Sequence, residues 1–231
     1  MNTSNAQYAI VNAQLLKRAV YWALIIAYCA LSSCGPKAEN NGEEFSMTPI
    51  PRLMKYYDDV ENGDTIYKKI PLDTFVNQYG KAFSTAELKG TISVVQVFFT
   101  SCQGICPVIT NSMARVQKEF AGNENVNLLS LSVDPARDSV AALKAYSNRF
   151  HCDSLQWTLA TGDKKKLYDH IRYGLQLPDI EPGNGGEEDF IHSDQLVLVD
   201  RNSIIRGYYG GTDTAQVRML IEDIHILINE K

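Results

Sequence analysis

The apolar pattern of this chain predicts an α/β fold, a central mixed sheet flanked by helices. Three observations carry that expectation. The run from Ile92 to Thr100 is nearly continuous in β-branched and aromatic residues, as for a strand covered on both faces. Ile109, Met113, Val116 and Phe120 then recur at helical spacing, and a second apolar run follows from Val126 to Val133. Beyond it the chain keeps alternating between the two periods, the signature of strands joined by helical crossovers. Composition agrees: 231 residues, 45% hydrophobic and 21% charged, suffice for one sizeable core or two small ones. The formal net charge of −5 gives no reason to expect nucleic acid as a partner.

The N-terminus stands apart from that fold. Lys17 and Arg18 precede an apolar stretch from Ala19 to Ala30. It is roughly a dozen residues long, too short for a comfortable transmembrane helix and suited to a signal-peptide core. Leu31-Ser32-Ser33-Cys34-Gly35 then resembles a bacterial lipobox, in which the cysteine is lipidated and becomes the mature N-terminus. An uncleaved anchor and an ordinary signal peptide are the alternatives; all three place the domain outside the cytoplasm, close to a membrane. The expected organisation is a lipoprotein signal peptide over 1–33 and a lipidated Cys34 opening a polar tether over 34–51. An N-terminal extension over 52–70 and a folded domain over 71–231 complete it. The expected location is the bacterial cell envelope, lipid-anchored, with the domain facing the periplasm.

Within the domain, Phe75 to Phe83 suits a short hairpin around Gly80, and the Ile92–Thr100 strand follows. Pro107 fits the first turn of the next helix. Val126–Val133 is closed by Asp134-Pro135, and Asp138 is placed to cap a helix running to Phe150. A short strand is expected over Leu155–Ala160, helix over 163–175, and a flexible loop over Gln176–Asp189, with its prolines and glycines. Leu196–Val199 and Ile204–Tyr209 are strands joined by a tight turn at Arg201-Asn202. Val217, Leu220, Ile221, Ile224 and Ile228 mark a final amphipathic helix. The order β-α-β-α-β-α-β-β-α is that of a thioredoxin-like fold.

The chemistry concentrates in Cys102-Gln103-Gly104-Ile105-Cys106-Pro107, at the junction between the first long strand and its helix. A helix N-terminus lowers thiol pKa and favours thiolate. Thiolates are both the nucleophiles of disulfide exchange and the ligands of soft metals. The three intervening residues, one more than in redox thioredoxins, widen the pair and improve it as a chelate. If the first helical turn begins near Cys102, i, i+4 spacing puts both sulfurs on one helix face. A purely stabilising disulfide is weakly motivated, because so short a loop constrains the unfolded chain little. Of the five cysteines, Cys29 falls in the signal core and Cys34 carries lipid, which leaves Cys102, Cys106 and Cys152. In an oxidising compartment the close pair can bridge, with one thiol left over.

Phe190-Ile191-His192-Ser193-Asp194 leads into the strand Gln195–Asp200. In a thioredoxin-like fold that loop faces the dithiol, so His192 is a candidate third ligand. Two thiolates and an imidazole suit Cu(I), or Cu(II) with an added ligand, whereas structural zinc takes four protein ligands.

Taken together, Val97–Pro107, Leu131-Ser-Val-Asp-Pro-Ala-Arg-Asp138, Leu143-Lys-Ala-Tyr146, Trp157 to Gly162, and His192-Ser193 before Leu198-Val199-Asp200 resemble the Sco/SenC family of copper-binding, thioredoxin-like proteins. The resemblance covers roughly residues 70–212 and departs at Gln103, where the family usually has proline. It implies Cys102, Cys106 and His192 as ligands of a copper ion. It also implies a partner, the copper A subunit of cytochrome c oxidase, which would receive copper or have its cysteines reduced. It places Asp134 and Asp138 near the metal; read locally, they end a strand and cap a helix.

Other candidates have plainer readings. His151 and Cys152 are adjacent and cannot easily chelate one ion, so Cys152 is expected to pack and His151 to lie at the surface. His170 and His225 are expected on solvated helix faces, and Glu187-Glu188-Asp189 in a solvated loop. Two functions follow: a metallochaperone that binds copper through Cys102, Cys106 and His192, or a thiol-disulfide oxidoreductase with Cys102 and Cys106 catalytic. A thiol peroxidase is the weaker third, since the site is a chelating pair instead of one peroxidatic cysteine.

Overall fold

A computed structural model describes residues 57–61, 64–183, 185–187 and 189–230. The expected signal peptide, Cys34, the tether and Glu188 lie outside the described residues.

Nine strands and four α-helices make up the described chain. β1 (Tyr57–Glu61) and β2 (Asp64–Tyr67) form a separate antiparallel hairpin. β3 (Thr74–Asn77) and β4 (Ala82–Ser84) pair around Gly80, whose φ of 72° suits a residue without a side chain. β5 (Ile92–Phe98) leads to α1 (Ile105–Glu119), β6 (Val126–Ser132) to α2 (Val140–Arg149), and β7 (Trp157–Thr161) to α3 (Lys164–Asp169). The last continues as a π-helical segment over His170–Leu175. β8 (Gln195–Val199), β9 (Ile205–Gly210) and α4 (Thr214–Asn229) close the chain. Pro107 is the third residue of α1, where a helix has no intrahelical use for an N–H.

The main sheet has seven strands in the order β4-β3-β7-β6-β5-β8-β9. β5, β6 and β7 run parallel, and β3, β8 and β9 are antiparallel to their neighbours. This is the mixed sheet of a thioredoxin-like fold. β5 is central, hydrogen-bonded to β6 and β8, and every one of its residues is buried. Alternation divides its side chains between two cores. Ile92, Val94 and Phe98 meet Ile109 and Met113 of α1, Leu143 of α2 and Leu220 and Ile224 of α4. Val95 and Val97 on the other face meet Leu167 and Tyr168 of α3 and Ile171. Ile70 joins this second core, and its N–H donates to the Ser203 carbonyl beside β9.

Several local expectations give way to tertiary contacts. The third crossover strand starts at Trp157, not Leu155, whose side chain is 91% exposed. Asp138 does not cap α2. Ser139 is the N-cap, its hydroxyl accepting from the Ala142 N–H. The Asp138 carboxylate is instead 0% exposed and reaches back to the β5 end. His170 is not solvated: it is 2% exposed, stacks edge-on against Phe75 and hydrogen-bonds Asp73 through Nδ1 at 2.7 Å. Because a carboxylate only accepts, Nδ1 carries the proton, and Nε2 is buried with no hydrogen-bond partner. His225 is exposed as expected, beside Glu119 and Phe120.

Candidate functional site

β5 ends at Phe98, and Phe99–Gly104 turn the chain into α1. Three donors fasten that turn to Asp138: the Thr100 N–H at 3.1 Å, the Thr100 hydroxyl at 2.5 Å and the Ser132 hydroxyl at 2.6 Å. A buried carboxylate therefore binds the end of β5 to the end of β6, two residues before Cys102. The α1 N-cap is Gly104, whose lack of a side chain leaves the first helical N–H groups without a side-chain acceptor.

Cys102 occupies that position. Its thiol is half-buried, which raises its pKa, but hydrogen bonds from the Cys106 thiol and from the Cys106, Gly104 and Ile105 N–H groups outweigh burial and lower it. Cys106 behaves oppositely. It is 6% exposed, and burial, followed by its hydrogen bond to Cys102, pushes its thiol up to about 12. The pair is a dithiol in mutual contact, one sulfur held toward thiolate and the other toward thiol. Behind Cys106, Tyr146 meets the Thr110 hydroxyl at 2.9 Å, and burial raises its phenol above the usual range.

The opposite wall is the segment before β8. Cys102, Cys106 and His192 line one cleft of about 190 Å³, whose floor is Val97, Phe98 and Val133. Phe190 closes one side, edge-on to Phe99 with ring centroids 5.0 Å apart and 5.6 Å from the His192 ring. His192 is exposed between two buried residues, Ile191 and Ser193. The Ser193 hydroxyl donates to both Asp179 oxygens, at 2.7 and 2.9 Å. Among the described residues, no three His, Cys, Asp or Glu side chains stand close enough to hold one ion. The lining of the cleft thus includes two soft sulfur donors and one borderline nitrogen donor in an apolar setting.

The remaining candidates fall elsewhere. Asp134 lies at the end of β6 and pairs with Arg137 at 3.2 Å. Cys152 packs against the first core, where burial pushes its thiol up to about 12, and His151 is exposed. Asp189 is not solvated: its carboxylate takes two bonds from the Arg172 guanidinium, at 2.6 and 2.7 Å, with both side chains about nine-tenths covered. Of the positioning carboxylates, Asp138 stood in a motif visible in the sequence, whereas nothing in the sequence marked Asp179.

The SCO1/SenC family model matches residues 73–229. A solved SCO1/SenC family lipoprotein from Bacillus anthracis is 32% identical, with a TM-score of 0.59 over 69% of this chain and 95% of that one. BsSco, described as a member of the Sco family of cytochrome c oxidase assembly proteins with a disulfide switch, is 26% identical, with a TM-score of 0.61 over 77% of this chain and 99% of that one. A Stutzerimonas stutzeri protein named for copper binding is 31% identical over 145 residues, 61% of this chain and 69% of its own length. The matched region contains the dithiol turn, the His192 wall, the first core and all of the second but Ile70, and the chain belongs to the SCO1/SenC family.

Proposed function

We propose that this protein is a copper chaperone that takes the metal as cargo on Cys102, Cys106 and His192. It passes copper on for assembly of the binuclear copper A centre of cytochrome c oxidase, working from a lipid anchor at Cys34 with its domain facing the periplasm. The observation that carries the reading is the shared cleft: two thiols at the turn into α1 and an exposed imidazole line the same apolar pocket. The donor set fits copper, since two sulfurs and an imidazole match Cu(I) and fall one short of a structural zinc site. The relatives support it, one named for copper binding, one for oxidase assembly and one as a lipoprotein.

The chain's own residues have distinct tasks. Backbone N–H groups of α1 keep Cys102 ready to bind, and Cys106 gives up its proton as it becomes a ligand. Phe190 and Phe99 stack edge-on and give the cleft an apolar side beside the thiols. His192, on the exposed rim, is the donor from which an acceptor can displace copper by ligand exchange.

A second reading has its own observation. The unequal pair, Cys102 lowered and Cys106 raised, suits an attacking thiolate beside a resolving thiol, so reduction of partner cysteines is the alternative activity. Titrating the fully reduced chain with Cu(I) separates the two. One tightly bound equivalent, weakened in His192→Ala while dithiol cycling persists, is the expected result. Absence of stoichiometric binding to the reduced protein overturns the chaperone.

A further inference from the structure

His192 must offer its imidazole to the thiols, yet it is exposed and its ring packs only against Phe190 among the described contacts. Its aim therefore depends on how the backbone around it is held. On the N-terminal side, Ile191 is buried in the second core. On the C-terminal side, Ser193 gives its hydroxyl to both oxygens of Asp179, and the Asp194 N–H donates to the same carboxylate at 3.2 Å. Asp194 is fixed again from the far side, where its carbonyl accepts the Gly211 N–H at 2.7 Å.

Asp179 is itself delivered from an anchored segment. The π-helical turn ends in Gln176, left-handed at φ 48° and ψ 49°. Leu177 is then buried, and Ile180 packs against the second core. The carboxylate thus projects from a stretch pinned on both sides, and it spans 14 residues of chain to grip the peptide next to His192.

From this geometry we infer that Asp179 is the positioning residue for His192. The inference rests on the reading of His192 as a copper donor and adds what aims it. With Ile191 and Ser193 both held, the backbone of His192 has one course, and adjustment toward a metal is confined to its two side-chain torsions. Fewer conformations then have to be given up on binding, so the site is tighter than a free loop histidine would make it. No contact between Asp179 and either cysteine exists among the described hydrogen bonds, so the dithiol chemistry does not depend on it.

The test is a Cu(I) competition titration against a chromophoric chelator, on the reduced full chain under anaerobic conditions. Wild type, Asp179→Ala, Asp179→Asn, His192→Ala and the Asp179→Ala/His192→Ala pair are compared. Partners that orient a metal-binding histidine typically change affinity by 10- to 100-fold, so Asp179→Ala is expected to weaken Cu(I) binding roughly 10-fold. Asp179→Asn recovers most of that, because an amide oxygen still accepts the Ser193 hydroxyl. In the His192→Ala background Asp179→Ala has no further effect, and the dithiol equilibrium with glutathione matches wild type in every Asp179 variant. An equal loss in both backgrounds, or a shifted glutathione equilibrium, shows a general structural role and overturns the inference. Unchanged affinity in Asp179→Ala, with His192→Ala weakened, overturns the inference alone. Unchanged affinity in His192→Ala overturns the ligand reading and the inference with it.

Discussion

Replacing Asp138 by alanine strands three donors in the seam between β5 and β6: the Thr100 amide, the Thr100 hydroxyl and the Ser132 hydroxyl. The amide has no freedom to find another acceptor and costs about 1–2 kcal/mol, while each hydroxyl can rotate and costs about 0.5–1 kcal/mol. Removing a buried charge offsets part of that total, which leaves a net loss of about 2–3 kcal/mol. For a domain of this size such a loss lowers Tm by roughly 4–12 °C. Ser139→Ala, which removes the α2 cap, costs only about 1 kcal/mol. Asp138→Asn is destabilising as well, because its amide presents N–H groups to donors in place of an acceptor. Urea unfolding of the four proteins, followed by circular dichroism, provides the comparison. Should Asp138→Ala cost no more than Ser139→Ala, the carboxylate is not the clamp of the dithiol turn, and the local reading of Asp138 as a helix cap regains its force.

Three other outcomes follow from the same geometry. At pH 7 iodoacetamide should alkylate Cys102 well before Cys106 or Cys152, both of which burial pushes up to about 12; mass-mapped labelling that begins at Cys106 contradicts the thiol assignment. His170 is held below its usual 6.5 by burial, with the Asp73 carboxylate opposing and Lys166 assisting. The unfolded chain therefore binds more protons just below pH 6.5, and stability is full above that value and falls as pH drops through it. His170→Phe should flatten the dependence of the urea midpoint between pH 7.5 and 5.5, and an unaltered slope refutes the assignment. Arg172→Ala removes two of the bonds that hold the Asp189 carboxylate and leaves it the Gly185 N–H; losing hydrogen bonds to a charged group typically costs about 1.5–3 kcal/mol. The variant should gain a protease-sensitive site between Gln176 and Asp189, and a digestion pattern identical to wild type speaks against the pair as the anchor of that segment.

The parts of the fold that were legible are those where burial acts along one element at a time. Ile92–Phe98 is apolar throughout because β5 is covered on both faces, and Ile109, Met113 and Val116 repeat at helical spacing because one side of α1 meets that strand. The dithiol was legible for the same reason: both cysteines and the helix N-terminus that tunes them lie within five consecutive residues. His170 was misread because helical spacing reports which face a residue occupies, and nothing local announces that Asp73, 97 residues earlier, waits on that face.

Local sequence was therefore enough to determine the order of strands and α-helices from β3 onward, the thioredoxin-like class and the placing of Cys102 and Cys106 at a strand-to-helix turn, since each depends on periodicity or on neighbours in the chain; it does not announce the β1–β2 hairpin, and burial, not the helix start, sets the Cys106 thiol apart. Tertiary structure alone decided that Asp138 clamps a turn instead of capping a helix, that Asp189 pairs with Arg172, and that Asp179 grips the residue after His192. Those outcomes turn on polar groups that must find partners once water is excluded, and the partners come from wherever the packed chain brings a donor within about 3 Å.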